Sequence, residues 1–216
     1  MPNILYLHGF ASGPLSTKGR FFHNRFEVMG GEVHQPNLED GDFQGLTISG
    51  QLAVIDRAVR DLNPALVMGS SLGGYVASLY AARHPDRMPA LVLLAPAFGF
   101  PRRWATQLGD EAMAAWKRTG SREVYHYGER RMLPIGYSLY EDGLQYEEFP
   151  EVTSRTLVFH GRYDDVVDPE LSVQFAWGKP NVELELVDSD HQLLDVLDAI
   201  WERVVPFYQN LEPARA

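Results

Sequence analysis

The sequence contains no cysteine. Disulfides, thiolate metal sites and a cysteine nucleophile are therefore excluded together, and the absence fits a reducing compartment. No window approaches the ~18 consecutive apolar residues of a membrane-spanning helix. The first residues, Met1 to Leu7, show no basic segment leading into a long apolar run, so no signal peptide is expected and the expected setting is the cytoplasm. Basic residues are also scarce: 19 Lys and Arg stand against 29 Asp and Glu, a net charge of −10. No basic block is long enough to make a nucleic-acid or anionic-membrane footprint, and the acidity reads as solubility. Internal repeats and low-complexity stretches are missing too. What remains, 216 residues of which 45% are hydrophobic, suits one globular domain with a sizeable core.

Short apolar runs recur along the chain, separated by helical spacings. Ile4 to Leu7, Glu32 to Gln35, Ala65 to Met68, Ala90 to Ala95, Thr156 to Phe159 and Val182 to Val187 read as strands. Several are continuous apolar runs, as strands covered on both faces must be. Helices are expected over 16–29 and from Thr47 or Ser49 to Leu62, where Leu52, Ile55, Val59 and Leu62 recur at helical spacing. Further helices are expected over 75–83, 169–177 and 192–208, with a frayed tail over 210–216. Strand–helix alternation predicts an α/β fold: a mostly parallel sheet of about six strands with helices on both faces. Ligands bind such sheets beyond the carboxyl ends of the strands. Residues 97–152 break the alternation. They show no long strand signal, one helix near 110–118 and many aromatics, and are expected to form a lid or cap inserted after the fourth strand.

The chemistry concentrates at strand ends. Leu66-Val67-Met68-Gly69-Ser70-Ser71-Leu72-Gly73-Gly74-Tyr75 reads as strand, Gly-x-Ser-x-Gly turn, helix. In such a turn Ser71 is presented on a sharp bend, and Gly69 and Gly73 give the strand and helix room to pass. A serine nucleophile needs a base, a group to orient the base and donors for an oxyanion. His191, between the last strand and the last helix, is the candidate base. Asp164 is the candidate acid, the first carboxylate after the strand-ending His160-Gly161. Asp165 and Asp168 read as solvent-facing or helix-capping, and Asp190 as diverging from its neighbour His191. His8 and His160 read as loop-bonding histidines. The order serine, acid, histidine is the one expected for a triad on such a sheet. Oxyanion donors are expected to be the backbone N–H of Leu72, at a helix N-terminus, and that of Phe10, in the loop after the first strand. Taken alone, His8-Gly9-Phe10 is no more than a tight strand exit. A metal site using His8, His160, Asp164 and His191 is the rival reading, but no His-Glu-x-x-His pair supports it, and no glycine-rich dinucleotide loop is present. No cofactor is expected.

Together the motifs Leu-His-Gly-Phe (7–10), Gly-Ser-Ser-Leu-Gly-Gly (69–74), His-Gly-Arg-Tyr-Asp-Asp-Val-Val (160–167) and Asp-His (190–191) resemble the α/β-hydrolase superfamily over nearly the whole chain. The stretch 6–18 with 69–75 is similar to a group of small bacterial esterases. The resemblance implies a Ser71–His191–Asp164 triad acting on a small-molecule ester, with an acyl-thioester or acylated protein as the alternative substrate. The chain departs from the full pattern in two places. It opens directly on the strand carrying His8, so the leading antiparallel hairpin of the superfamily is expected to be missing. The acid motif also runs Val-Asp, with its proline one position later at Pro169. A non-catalytic binding protein on this fold gains weight where a triad member is missing, and none is missing here.

Residues 102–131 hold seven basic residues against four acidic ones, in an otherwise acidic chain. With Trp104, Met113, Trp116, Tyr125 and Tyr127, this stretch suits an apolar acyl chain and an anionic leaving group, or else a solvated basic face over an aromatic satellite core. Trp-Lys-Arg-Thr-Gly (116–120) distantly resembles the lid of acyl-thioesterase members of the superfamily.

Overall fold

The computed structural model describes residues 2–88 and 90–211. In chain order the elements are β1 (Asn3–Leu7), α1 (Thr17–Val28), β2 (Glu32–His34), α2 (Ile48–Leu62), β3 (Leu66–Ser70), α3 (Leu72–Arg83) and β4 (Ala90–Leu94). There follow α4 (Arg102–Thr119), β5 (Ser121–His126), β6 (Arg131–Gly136), α5 (Ser138–Gly143), β7 (Arg155–Gly161), α6 (Glu170–Ala176), β8 (Val182–Val187) and α7 (Leu197–Gln209). Six strands form one sheet in the order β2-β1-β3-β4-β7-β8, and every neighbouring pair is parallel. From β1 the chain steps outward to β2, then returns to build β3 and β4 on the other side. The reversal leaves a crevice between the carboxyl ends of β1 and β3, where open α/β sheets hold their ligands. Phe10 follows β1 and Ser71 follows β3, so both candidate groups flank that crevice.

Alternate side chains of the buried strands feed two cores. Leu5, Leu7, Val67, Leu91 and Leu93 pack against Val54, Ile55 and Val59 of α2 and Val76 and Leu79 of α3. Ile4, Tyr6, Met68, Val92 and Leu94 pack on the opposite face against Phe22 and Phe26 of α1 and Ile200, Val204 and Phe207 of α7. Each fully buried Phe or Leu contributes roughly 1.5–3 kcal/mol through the water it sheds. The double cover explains the unbroken apolar runs of the central strands. Side-chain oxygens of Ser16 and Thr47 accept the Gly19 and Gly50 N–H groups and so start α1 and α2.

Two expectations are corrected. The helix expected from Gln192 begins at Leu197, after a short 3-10 turn at Leu194–Val196. Leu193 there adopts a left-handed conformation (φ 57°), which no continuing helix allows. Residues 97–152 hold more structure than expected. Helix α4 runs from Arg102 and is interrupted at Gly109, and β5 and β6 form an antiparallel hairpin. This two-stranded ribbon packs on one side only, so its strands carry Arg122, Glu123, Arg131 and even Pro134 instead of an apolar run. The tail expected to fray lies outside the described residues from 212 onward.

The 97–152 segment is fastened to the crevice. The Tyr127 N–H donates to Ala11 O (2.7 Å), and the Gly136 N–H donates to Gln44 O (2.9 Å). A Cβ on Gly128 would lie 2.7 Å from Ser12 O, so hairpin and loop backbones touch. Trp104 meets Phe10 edge-on at 5.0 Å, and the Tyr75 hydroxyl of α3 donates to Glu147 O (2.8 Å).

Candidate active site

The turn after β3 forces Ser71 into φ 52°, ψ −119°, a conformation that disfavours any residue with a Cβ. Two glycines make that turn possible. A Cβ on Gly69 would lie 2.6 Å from Gly73 O, and one on Gly73 would lie 2.4 Å from His8 O. Strand β3, helix α3 and the loop after β1 therefore meet backbone to backbone, as the small residues of the motif require. Ser70 beside it is buried, while Ser71 keeps partial exposure at the N-terminus of α3.

From Ser71 a chain of hydrogen bonds runs inward. Its Oγ lies 3.1 Å from His191 Nε2, and His191 Nδ1 lies 2.7 Å from Asp164 Oδ2. A carboxylate accepts, so Nδ1 carries the proton and Nε2 offers its lone pair to the serine hydroxyl. The two loops that carry Asp164 and His191 are joined by the Tyr163 N–H donating to Ser189 O (3.0 Å). Asp164 is buried and accepts four hydrogen bonds in all. Oδ1 takes the N–H groups of Val166 (2.9 Å) and Val167 (2.8 Å), and Oδ2 takes His191 and His160 (3.0 Å). Burial alone would push this carboxyl's pKa up. The hydrogen bonds from His160 and His191, the His191 charge and the Val167 N–H outweigh burial and hold it well below the usual carboxylate range.

His160 is expected to bond a loop, and it does so through Val167 O (2.9 Å from Nε2). Beyond that expectation, it also meets Asp164. A carbonyl can only accept, so Nε2 carries the proton and shares it between Val167 O and Asp164 Oδ2. Nδ1 then accepts the buried Ser172 hydroxyl at 2.7 Å. The pair of His160 with an Asp four residues on was the available signal.

His8 stays outside this chain. Its Nδ1–H donates to Gly9 O (2.9 Å) and its Nε2 accepts the Leu38 N–H (3.1 Å). Burial drives its pKa down, so the ring is neutral and ties the loop after β1 to the loop at Leu38. The Asp168 side chain accepts the Glu170 N–H, the capping position expected of it, and Asp165 is exposed. Asp190 accepts the Gln192 and Leu193 N–H groups with its Oδ1 and makes no hydrogen bond to His191 among the described residues. The N–H groups of Phe10 and Leu72 donate to no other group among the described residues. Among those residues no cluster of three or more His, Cys, Asp or Glu is placed to hold a metal ion, and no helix is long and apolar enough to cross a membrane.

The doubly covered parallel sheet, with a Gly-x-Ser-x-Gly bend at its crevice, defines the chain as an α/β hydrolase in fold. Within that superfamily, residues 3–209 match the family described as Uncharacterised protein family (UPF0227), and the chain belongs to it. It is similar to the palmitoyl-protein thioesterase ABHD10, mitochondrial, of Bos taurus, with 25% identity over 218 residues, 91% of this chain and 69% of that protein. The monoacylglycerol lipase abhd6-B of Xenopus laevis is 31% identical over 105 residues, 44% of this chain and 31% of that protein. Against the latter the chain thus spans about a third of the relative's length. Among solved structures, mouse alpha/beta hydrolase domain-containing protein 10 superposes with a TM-score of 0.81 at 19% identity, covering 98% of this chain and 91% of that one. Est1E from Butyrivibrio proteoclasticus, with ferulic acid bound, gives 0.79 at 21% identity, covering 98% and 89%.

Proposed function

We propose that this chain is a serine hydrolase that cleaves carboxylic esters through an acyl-enzyme. The observation that carries the reading is the hydrogen-bonded series from Ser71 Oγ through His191 to Asp164. Ser71 Oγ attacks the acyl carbon while His191 Nε2 takes its proton. Asp164 remains a carboxylate, holds the imidazole in the Nδ1–H tautomer and stabilises the imidazolium. The Phe10 and Leu72 N–H groups hold the oxyanion, one donor from each side of the crevice, and the dipole of α3 favours negative charge there. Collapse of the tetrahedral intermediate expels the leaving alcohol, which receives the proton from His191. Water, deprotonated by the same nitrogen, then releases the acid and restores Ser71. Residues 97–152 act as the lid over this site and shape the acyl pocket, which their contacts with Phe10 and Ala11 support.

Replacing Ser71 with Ala is expected to abolish turnover of a short-chain aryl ester and labelling by a fluorophosphonate. Retained activity in that variant would sink the assignment. A thioester or acylated protein is the second substrate reading, favoured by the similarity to a palmitoyl-protein thioesterase. Turnover of matched oxygen and sulfur esters separates the two.

A further inference from the structure

The basic side chains of this acidic chain are mostly paired. Arg25, Arg57, Arg83, Arg102 and Arg203 are among those that meet a carboxylate, and Arg122 lies over the Trp116 ring. Of the unpaired ones most are exposed and need no partner. Among the described residues two are half-buried with neither an ion pair nor an aromatic face: Lys18 in the first turn of α1 and Arg103 in the first turn of α4. With 29 acidic residues available, the lack of a partner at both is specific to their position.

Arg103 stands at the crevice, and Lys18 lies at the start of the helix that the loop after β1 leads into. Arg103 Nη1 hydrogen-bonds Val166 O, in the loop that also carries Asp164, and its next residue, Trp104, packs on Phe10. Its Nε–H is buried and has no acceptor. An unsatisfied buried donor costs roughly 1–3 kcal/mol, more when it is charged, and this one calls for an acceptor that the described residues do not supply. Lys18 follows the loop from β1 that carries Phe10, and its ammonium makes no hydrogen bond among the described residues. Burial pushes its pKa down to about 8, against the opposing pull of Asp164, which accepts His191 Nδ1, and of Asp190, the residue before His191. Burial likewise lowers Arg103, and Asp164 is again the charge it feels. Neither cation is needed to neutralise Asp164, whose oxygens already accept four hydrogen bonds.

We infer that Lys18 and Arg103 form an anion-recognition site beside Ser71, and that the preferred substrates are esters carrying a carboxylate or phosphate. This deepens the hydrolase reading and rests on it. The anion belongs to the acyl part or to the leaving group, and matched esters tell these apart. On the acyl side, 4-nitrophenyl hydrogen glutarate is compared with 4-nitrophenyl valerate. On the leaving side, the acetate of 4-hydroxy-3-nitrobenzoic acid is compared with 2-nitrophenyl acetate. The measured quantity is the ratio of kcat/KM, anionic over neutral, in each pair.

Wild type is expected to favour the anionic member of one pair, and the ratio is expected to fall about tenfold in Lys18→Met and in Arg103→Met, the loss of one charged hydrogen bond. Lys18→Arg, which keeps the charge, is expected to retain most of it. A merely structural role would slow both members of a pair and leave the ratio alone. Raising the salt concentration on the wild type should lower the ratio too, a reading that needs no variant. Equal turnover of both members in both pairs, or a preference that survives both substitutions, would overturn the anion site while leaving Ser71-dependent hydrolysis intact. If Ser71-dependent turnover of every ester is missing, the hydrolase reading itself fails.

Discussion

His160 Nε2 lies 3.0 Å from Asp164 Oδ2, the same oxygen that accepts His191 Nδ1 at 2.7 Å. Two histidines thus share one carboxylate oxygen, one aimed at Ser71 and one sealed in the core. His160 acts as a positioning residue: it fixes the carboxylate that fixes the base. His160→Leu removes one of the four hydrogen bonds to Asp164 and is expected to lower kcat about tenfold or more with KM little changed. His160→Gln, whose side-chain amide can still donate, should recover part of the loss. Parallel steady-state kinetics on a neutral aryl ester check both.

The same contact predicts a pH dependence of stability. The folded pKa of Asp164 is depressed below its ordinary value of 3.8. Its stabilisation is therefore fully present above that value and is lost as pH falls through the lower folded pKa. His160→Leu moves the folded pKa back towards the ordinary one. Acid unfolding followed by circular dichroism should then have its midpoint at a higher pH than in wild type, and an unmoved midpoint would contradict the role given to His160.

Strain at Ser71 sets activity against stability. Its φ of 52° is costly for any side chain, on the order of 1–3 kcal/mol, and costs glycine little. Ser71→Gly is expected to raise the melting temperature by a few degrees, net of the extra freedom glycine gives the unfolded chain. It should also abolish turnover. Calorimetry of the Gly and Ala variants side by side isolates the backbone term, since both lack the hydroxyl.

Gly73→Ala tests the packing beneath the same turn. Its Cβ would meet His8 O at 2.4 Å and Leu7 O at 2.5 Å, backbone atoms that move only together with Phe10. Destabilisation of roughly 1–3 kcal/mol is expected. In whatever fraction folds, kcat should fall, because the displaced loop carries the proposed oxyanion donor. Unchanged kcat in folded protein would count against Phe10 N–H in that role.

Lys18 gives the anion site a pH signature. As pH rises through about 8 its ammonium loses a proton, so the preference for the anionic ester should decline there. Arg103 stays charged and keeps part of it. In Lys18→Arg the decline should vanish. The stability effect has the opposite sense: burying a charged Lys18 costs stability below pH 8, and that cost is relieved as pH rises from about 8 towards the ordinary value of 10.5.

How legible all this was depends on what each element packs against. The four central strands β1, β3, β4 and β7 could be read because both of their faces are buried, and continuous apolar runs such as Ala90–Leu94 leave few alternatives; the edge strand β8 showed instead as the alternation Val-Glu-Leu-Glu-Leu. Ser71, His191 and Asp164, which the structure joins in one hydrogen-bonded series, could be singled out because each follows a strand of the sheet within a few residues. The β5–β6 hairpin was invisible because one of its faces meets solvent and its strands are chosen for charge and for fit to Gln44 and Ala11, not for apolar period. The start of α7 was misplaced because Gln192 and Leu193 continue the helical spacing, while the backbone at Leu193 turns left-handed. The pairing state of Lys18 and Arg103 has no sequence signal, since it depends on which carboxylates the fold leaves out of reach.

The hairpin's attachment also bears on how such proteins diversify. Its backbone touches residues 11, 12 and 44, and Trp104 from the same segment rests on Phe10. Residues 97–152 are therefore not an interchangeable module. A chimera that imports this segment from a relative would have to bring its own version of residues 9–12 and 43–45, or inherit a mismatched seam beside Phe10. On the proposed reading, a change made only in the segment would therefore retune the speed of the chemistry along with the choice of substrate.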